Sequence, residues 1–342
     1  MNLVVQMITR PCLLLIINIT NKGVINMNKL TKIGLSALAG SLVAVSAQAG
    51  SLSATGSASL TFSNAWDESL TNENNTWSMG DSITFTGSGE MDNGMTISVS
   101  YELDGQGGST DAFDDHSMTL DTNGMGTIQF AGHGGSSAMS AIDDVTPNAY
   151  EESWDIVTGA DSNTVNGVSG ENMFHYTSPD LGGATIKMAY LNADDTASDT
   201  SYMDFAISAD PIDGLTVGFG MGETEETTGT VIDDQIMYAK YVYGSMTVGI
   251  QSNESDGPNS SNDKDNLFMG VTYAVTDDFT IGYHQSTIEI GNDTDDQEGS
   301  GISASYTSGG ITVGGAMNSV DNVGFDASAD REGYEFNIAF AF

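Results

Sequence analysis

The residues best equipped for chemistry lie in one long acidic segment. The 37 residues from Gly134 to Gly170 carry Asp143, Asp144, Glu151, Glu152, Asp155 and Asp161, with Tyr150 and Trp154 among them. Clustered carboxylates can move protons, hold hard cations or set a local field. Proton transfer alone does not make a hydrolase, and although serines are abundant, they show no nucleophile–base constellation with these acids. There is no Gly-x-Ser-x-Gly element, and the single cysteine is Cys12, near the start of the chain. The four histidines, His116, His133, His175 and His284, show no metal-ligand spacing. Acid runs such as Asp293 to Glu298 and Asp233-Asp234 lack an EF-hand pattern. Solvated loops are their default, with weakly bound Ca2+ or Mg2+ at acidic loops as the cofactor expectation and no confident metal site. No enzyme is expected, and an electrostatic role remains.

The charge census sharpens that reading. Met27 to Lys32 is a short basic start, Ile33 to Val45 is apolar, and Ala47-Gln48-Ala49 is an Ala-x-Ala cleavage pattern. Residues 27–49 therefore read as a secretory signal peptide, with 1–26 as an upstream extension. All of the acids lie beyond residue 49, and the leader takes away Arg10, Lys22, Lys29, Lys32 and Cys12. The whole-chain formal charge of −39 then becomes −43, with 47 acids against Lys187, Lys240, Lys264 and Arg331. Nucleic acid is excluded as a partner, because its phosphates need clustered Lys and Arg. Small cations are favoured instead.

The elements that must position the acids are strands. From Ser51 to Ser63, Leu52, Ala54, Gly56, Ala58, Leu60 and Phe62 alternate with Ser and Thr. That two-residue period places the apolar groups on one face of a strand. Sixteen such segments follow one another, ending with Tyr334, Phe336, Ile338, Phe340 and Phe342. Tight Gly/Asn/Asp turns, such as 91–94 and 123–126, alternate with longer acidic connectors at 67–78, 105–113, 134–170, 193–200, 223–233, 253–264, 291–299 and 319–330. Short turns at one end and long loops at the other mark an outer-membrane β-barrel. The polar strand face would then line water, and the apolar face would meet lipid. Closure leaves no unpaired edge, which lipid demands. Tyr101, Tyr190, Tyr273, Tyr283 and Tyr306 lie near strand ends, as an interfacial girdle would. The 134–170 loop is expected to fold into the enclosed space. The fold class is thus all-β: a transmembrane antiparallel barrel over 50–342 with about 16 strands.

Several stretches resemble the general bacterial porin family. Asn172-Met173-Phe174-His175-Tyr176-Thr177-Ser178-Pro179-Asp180-Leu181-Gly182-Gly183 resembles the hairpin after that family's constriction loop. Gly126 to Phe130 resembles the strand leading into it, and Gly214 to Gly218 and Gly309 to Gly314 resemble turn-to-strand pieces. Tyr334 to Phe342 resembles the terminal strand. The resemblance implies a trimeric 16-stranded barrel of the outer membrane whose third long loop narrows the pore. It also implies that Tyr334, Phe340 and Phe342 form the terminal signal for the barrel-insertion machinery. The loop acids map by position to Asp143, Asp144, Glu151, Glu152 and Asp155. The family's opposing basic cluster has no counterpart here, since the facing strands offer Ser, Thr, Glu102 and Asp104. Lys187 and Lys240 are further lumen-facing candidates, whereas Lys264 and Arg331 read as solvated junction residues.

The expected function is a cation-preferring channel for passive diffusion of small hydrophilic solutes. A solute-selective channel of the same fold is one alternative. An acidic surface or adhesive β protein is another, opposed by the terminal Phe342 and the regular apolar face.

Overall fold

The computed structural model describes residues 50–67, 74–104, 113–162, 165, 167–192, 200–226, 229–291, 293 and 295–342. The leader assignments to 1–26 and 27–49 lie outside these residues. Sixteen strands follow in chain order: β1 (Leu52–Asp67), β2 (Asn74–Glu90), β3 (Thr96–Asp104), β4 (His116–Asp121), β5 (Thr127–His133), β6 (Met173–Thr177), β7 (Ala184–Leu191) and β8 (Thr200–Ile212). The second half comprises β9 (Leu215–Glu226), β10 (Val231–Tyr243), β11 (Met246–Asp256), β12 (Lys264–Ala274), β13 (Phe279–Ile290), β14 (Gln297–Ser308), β15 (Ile311–Asp321) and β16 (Arg331–Ala341).

Each strand pairs with its sequence neighbours, and β1 closes on β16. Phe62 lies opposite Phe336 and Leu60 opposite Ile338 across that closure. The barrel expected from the alternation is the one observed. Several strands run further than their apolar residues do. The connector expected at 67–78 ends at Asn74, where β2 already begins, and those at 223–233 and 253–264 shrink likewise. Polar residues extend these ladders beyond the apolar band, because backbone pairing needs no apolar side chain.

Residues directly opposite one another share a sheet face. The outward set includes Leu60, Phe85, Val248 and Ile302, all exposed, as side chains that meet lipid must be. The inward set on β1 to β3 is a wall of hydroxyls. Thr61 faces Ser78 and Asn337, and Ser57 faces Ser82, which faces Asp104. Asn337 Nδ2 donates to Thr61 Oγ1 at 2.7 Å, tying the wall across the closure. Buried apolar groups gather where the 134–170 loop meets the inner faces of the strands. Met139 and Ile142 pack with Ala206 and Ile236, while Trp154 packs with Phe268 and Ile288.

Candidate functional site

The loop leaves β5 and returns to β6 through a clamped root. Gly135 and Gly170 exchange two backbone hydrogen bonds, at 3.0 and 2.9 Å. A short 3-10 turn, Met139–Ala141, follows the root. Its first N–H donates to Asp204 Oδ2 on β8 at 2.7 Å. From there the chain crosses the inner faces of β11 to β16. Gln251 donates to the Asp143 carbonyl. Thr146 Oγ1 and His284 Nε2 are 2.9 Å apart, and Ser153 Oγ donates to Ser286 Oγ at 2.8 Å. Trp154 packs against Phe268 with ring centroids 4.8 Å apart.

Small residues on the wall make this seat. A Cβ built on Gly270 would stand 2.2 Å from the Pro147 carbonyl oxygen, and one on Gly314 would stand 2.4 Å from the Tyr150 ring. Any side chain at either position would push the loop inward. The loop is therefore held by polar inward groups and by glycines that let its backbone lie close.

The acids gather at the far end of this seat. Carboxylate oxygens of Glu151, Glu152 and Asp155 lie within 4.8 Å of one another. Asn148 donates to Glu152 Oε1, and the Glu152 N–H donates to Asp155 Oδ2 at 3.1 Å. Asp144 is hydrogen-bonded to Glu152. Tyr150 donates its hydroxyl to Glu335 Oε1 on β16 at 2.5 Å. Burial pushes the Glu152 carboxyl up to about 10, helped by its hydrogen bond to Asp155 and by the charges of Asp144 and Asp155. Burial also lifts Glu151 to about 7, with repulsion from Asp155 and Glu335 adding to it. Asp144 rises for the same first reason. Such a cluster has the oxygen ligands for a hard divalent cation.

The structure brings together Asp144, Glu151, Glu152 and Asp155, and the Asp143 backbone carbonyl accepts from Gln251 on the wall. Glu335 belongs to the cluster although no motif in the sequence marks it. Its place on the polar phase of β16, beside Tyr334, was the only available signal. Register puts Glu102 opposite Thr84 and Asp104 opposite Ser82, both on the hydroxyl wall. Lys187 faces Thr177 and Ala206, and Lys240 faces Thr216 and Gly249, so both are on the lumen side. Two expectations of solvated cations are corrected. Lys264 Nζ lies 3.3 Å from Asp161 Oδ1, and Arg331 donates from Nη1 to the Thr158 carbonyl at 2.5 Å. Both cations anchor the loop, because its acidic and carbonyl groups reach the upper ends of β12 and β16. Phe342 closes the chain with backbone bonds of 2.9 Å in each direction to Gly56, and its ring stacks on Phe340.

Comparison with known proteins bears on the fold. The family profile described as Gram-negative porin matches residues 34–289, well over half of the chain. No curated protein sequence matches. An anion-selective porin from Comamonas acidovorans superposes with a TM-score of 0.65 at 13% identity, covering 85% of this chain and 99% of that one. A loop-deletion mutant of OmpT, an outer membrane protein of Vibrio cholerae, gives 0.63 at 15%, covering 85% and 99%. A triple mutant of Rhodopseudomonas blastica porin gives 0.62 at 17%, covering 85% and 100%.

Proposed function

The chain belongs to the Gram-negative porin family, and from that premise we propose that it is a cation-preferring channel for passive diffusion of small hydrophilic solutes across the outer membrane. The single observation that carries the preference is the crowding of Asp144, Glu151, Glu152, Asp155 and Glu335 within a barrel whose strands β1 to β5 contribute Ser and Thr but no Lys or Arg. Confined carboxylates concentrate cations and repel anions. The sign of selectivity is not a property of the fold, since the anion-selective porin shares it. It must come from the residues at the constriction.

All four cations beyond residue 49 are accounted for. Lys264 and Arg331 are engaged with the loop. Lys187 and Lys240 stand on strands away from the hydroxyl wall and set no opposing basic face. Ca2+ or Mg2+ would bind weakly at Glu151, Glu152 and Asp155, and conduction needs no resident cofactor. Assembly as a homotrimer and recognition of Tyr334, Phe340 and Phe342 by the insertion machinery belong to the same reading. No catalytic step is part of it.

Liposome swelling tests the function. Vesicles loaded with the folded protein should admit neutral and cationic solutes of amino-acid size faster than anionic ones of equal size. Equal rates, or faster anion entry, would overturn the preference. Absence of swelling with any solute would overturn the channel itself.

A further inference from the structure

The histidines show no metal-ligand spacing along the chain, but the register brings two of them together. His116, the first residue of β4, lies opposite His133, the last of β5, at a shift in the β4–β5 pairing. Their rings lie nearly parallel, 12° apart in plane, with centroids separated by 6.4 Å. Asp115 Oδ1 is 3.4 Å from His133 Nδ1, and Glu171 Oε1 is 3.6 Å from His133 Nε2. His133 and Asp115 are both partly exposed to solvent. The backbone is shaped to receive these groups. A Cβ on Gly132 would stand 2.3 Å from His116 Nε2, and one on Gly134 would stand 1.7 Å from Asp115 Oδ1. Asp115 and His116 thus lie over the two glycines that flank His133. A cavity of about 170 Å³ opens beside them, with Glu102 and Gln129 in its lining.

We propose that Asp115, His116 and His133 form a binding site for a divalent transition-metal ion of the Ni2+, Cu2+ or Zn2+ class, with Glu171 as the adjoining carboxylate. Imidazole selects these ions over Ca2+ and Mg2+, which prefer oxygen alone. A carboxylate on one ring nitrogen fixes the tautomer and leaves the other nitrogen to ligate. Asp115 stands in that relation to His133 Nδ1, and Nε2, which faces Glu171, is the nitrogen that would ligate. The donors do not yet converge on one point, so binding turns both imidazoles toward the cavity. His133 immediately precedes Gly134, and Glu171 immediately follows Gly170. The site therefore spans the two ends of the inward loop, and an occupying ion ties them together. It stands apart from the acid cluster and does not depend on the sign of ion selectivity.

The test uses the folded full-length barrel in detergent with millimolar MgCl2 present to fill oxygen-only sites. Calorimetric titration with NiCl2 should give one ion per chain. His116→Ala and His133→Ala should each weaken binding by about tenfold or more, the scale on which even an outer partner of a metal ligand matters. Neutralising the remote pair Asp233 and Asp234 should leave it unchanged. Heat-modifiable gel mobility checks that each variant is folded. Cu2+ electron paramagnetic resonance on the unaltered protein needs no variant and should show nitrogen hyperfine coupling from two imidazoles. Oxygen-only coupling, no Ni2+ binding, or full affinity in either histidine variant would overturn the proposal.

Discussion

Replacing Glu151 by Gln should lower the K+/Cl− permeability ratio about fivefold near pH 8, whereas replacing its neighbour Glu152 should change little. The magnitude follows from the geometry. Carboxylate oxygens of Glu151, Glu152 and Asp155 lie within 4.8 Å of one another, so an ion passing one passes all. At ~5 Å in water-like surroundings, one charge acts on a monovalent ion with about 0.8 kcal/mol, reduced by salt near 0.1 M to about 0.5 kcal/mol. That enriches K+ roughly twofold and depletes Cl− roughly twofold, giving about fivefold in the ratio. Glu151, lifted to about 7, is mostly charged near pH 8, while Glu152, pushed up to about 10, is mostly protonated there. Gln therefore removes a charge at 151 and replaces an already neutral group at 152. Reversal potentials in planar bilayers under a KCl gradient measure both ratios. Equal effects at the two positions, or none at Glu151, would refute the assignment of charge within the cluster.

The wild-type ratio should itself rise with pH between about 6 and 8, because Glu151 loses its proton as pH passes about 7; a flat profile over that window would exclude Glu151 from the conduction path. Combined Asp143→Asn and Asp144→Asn should reduce cation selectivity through Asp144, so Asp143→Asn alone should have the smaller effect in the same assay. Gly270→Val should drive a side chain into Pro147 and destabilise the seated loop by about 1–3 kcal/mol, the usual cost of overpacking. Its temperature of heat-modifiable conversion should fall, and its single-channel conductance should change. Tyr150→Phe should cost about 1 kcal/mol through the lost bond to Glu335, read in the same conversion assay.

The barrel was legible because its strands repeat a period of two, and a lipid-facing wall cannot tolerate breaks in that period. Leu52 to Phe62 and Tyr334 to Phe342 announce both ends of the closure. Strand ends were less visible. β2 starts at Asn74, where the ladder continues above the apolar band and hydropathy no longer marks it. The loop was legible by its length and acids, but its internal order was not. Asp143 and Asp144 are adjacent in sequence, yet Asp144 is hydrogen-bonded to Glu152 while the Asp143 carbonyl accepts from Gln251. Glu335 entered the site through folding across nearly two hundred residues, which no local pattern encodes. The same holds for His116 and His133, whose meeting depends on a register shift.

Whether the acid cluster selects for cations is decided by the reversal potential of the unaltered channel across a KCl gradient. A K+-selective potential is expected, shrinking as the solution is acidified below pH 7. A Cl−-selective potential would contradict it, since the cluster at Glu151, Glu152 and Asp155 would then not govern the ions that pass.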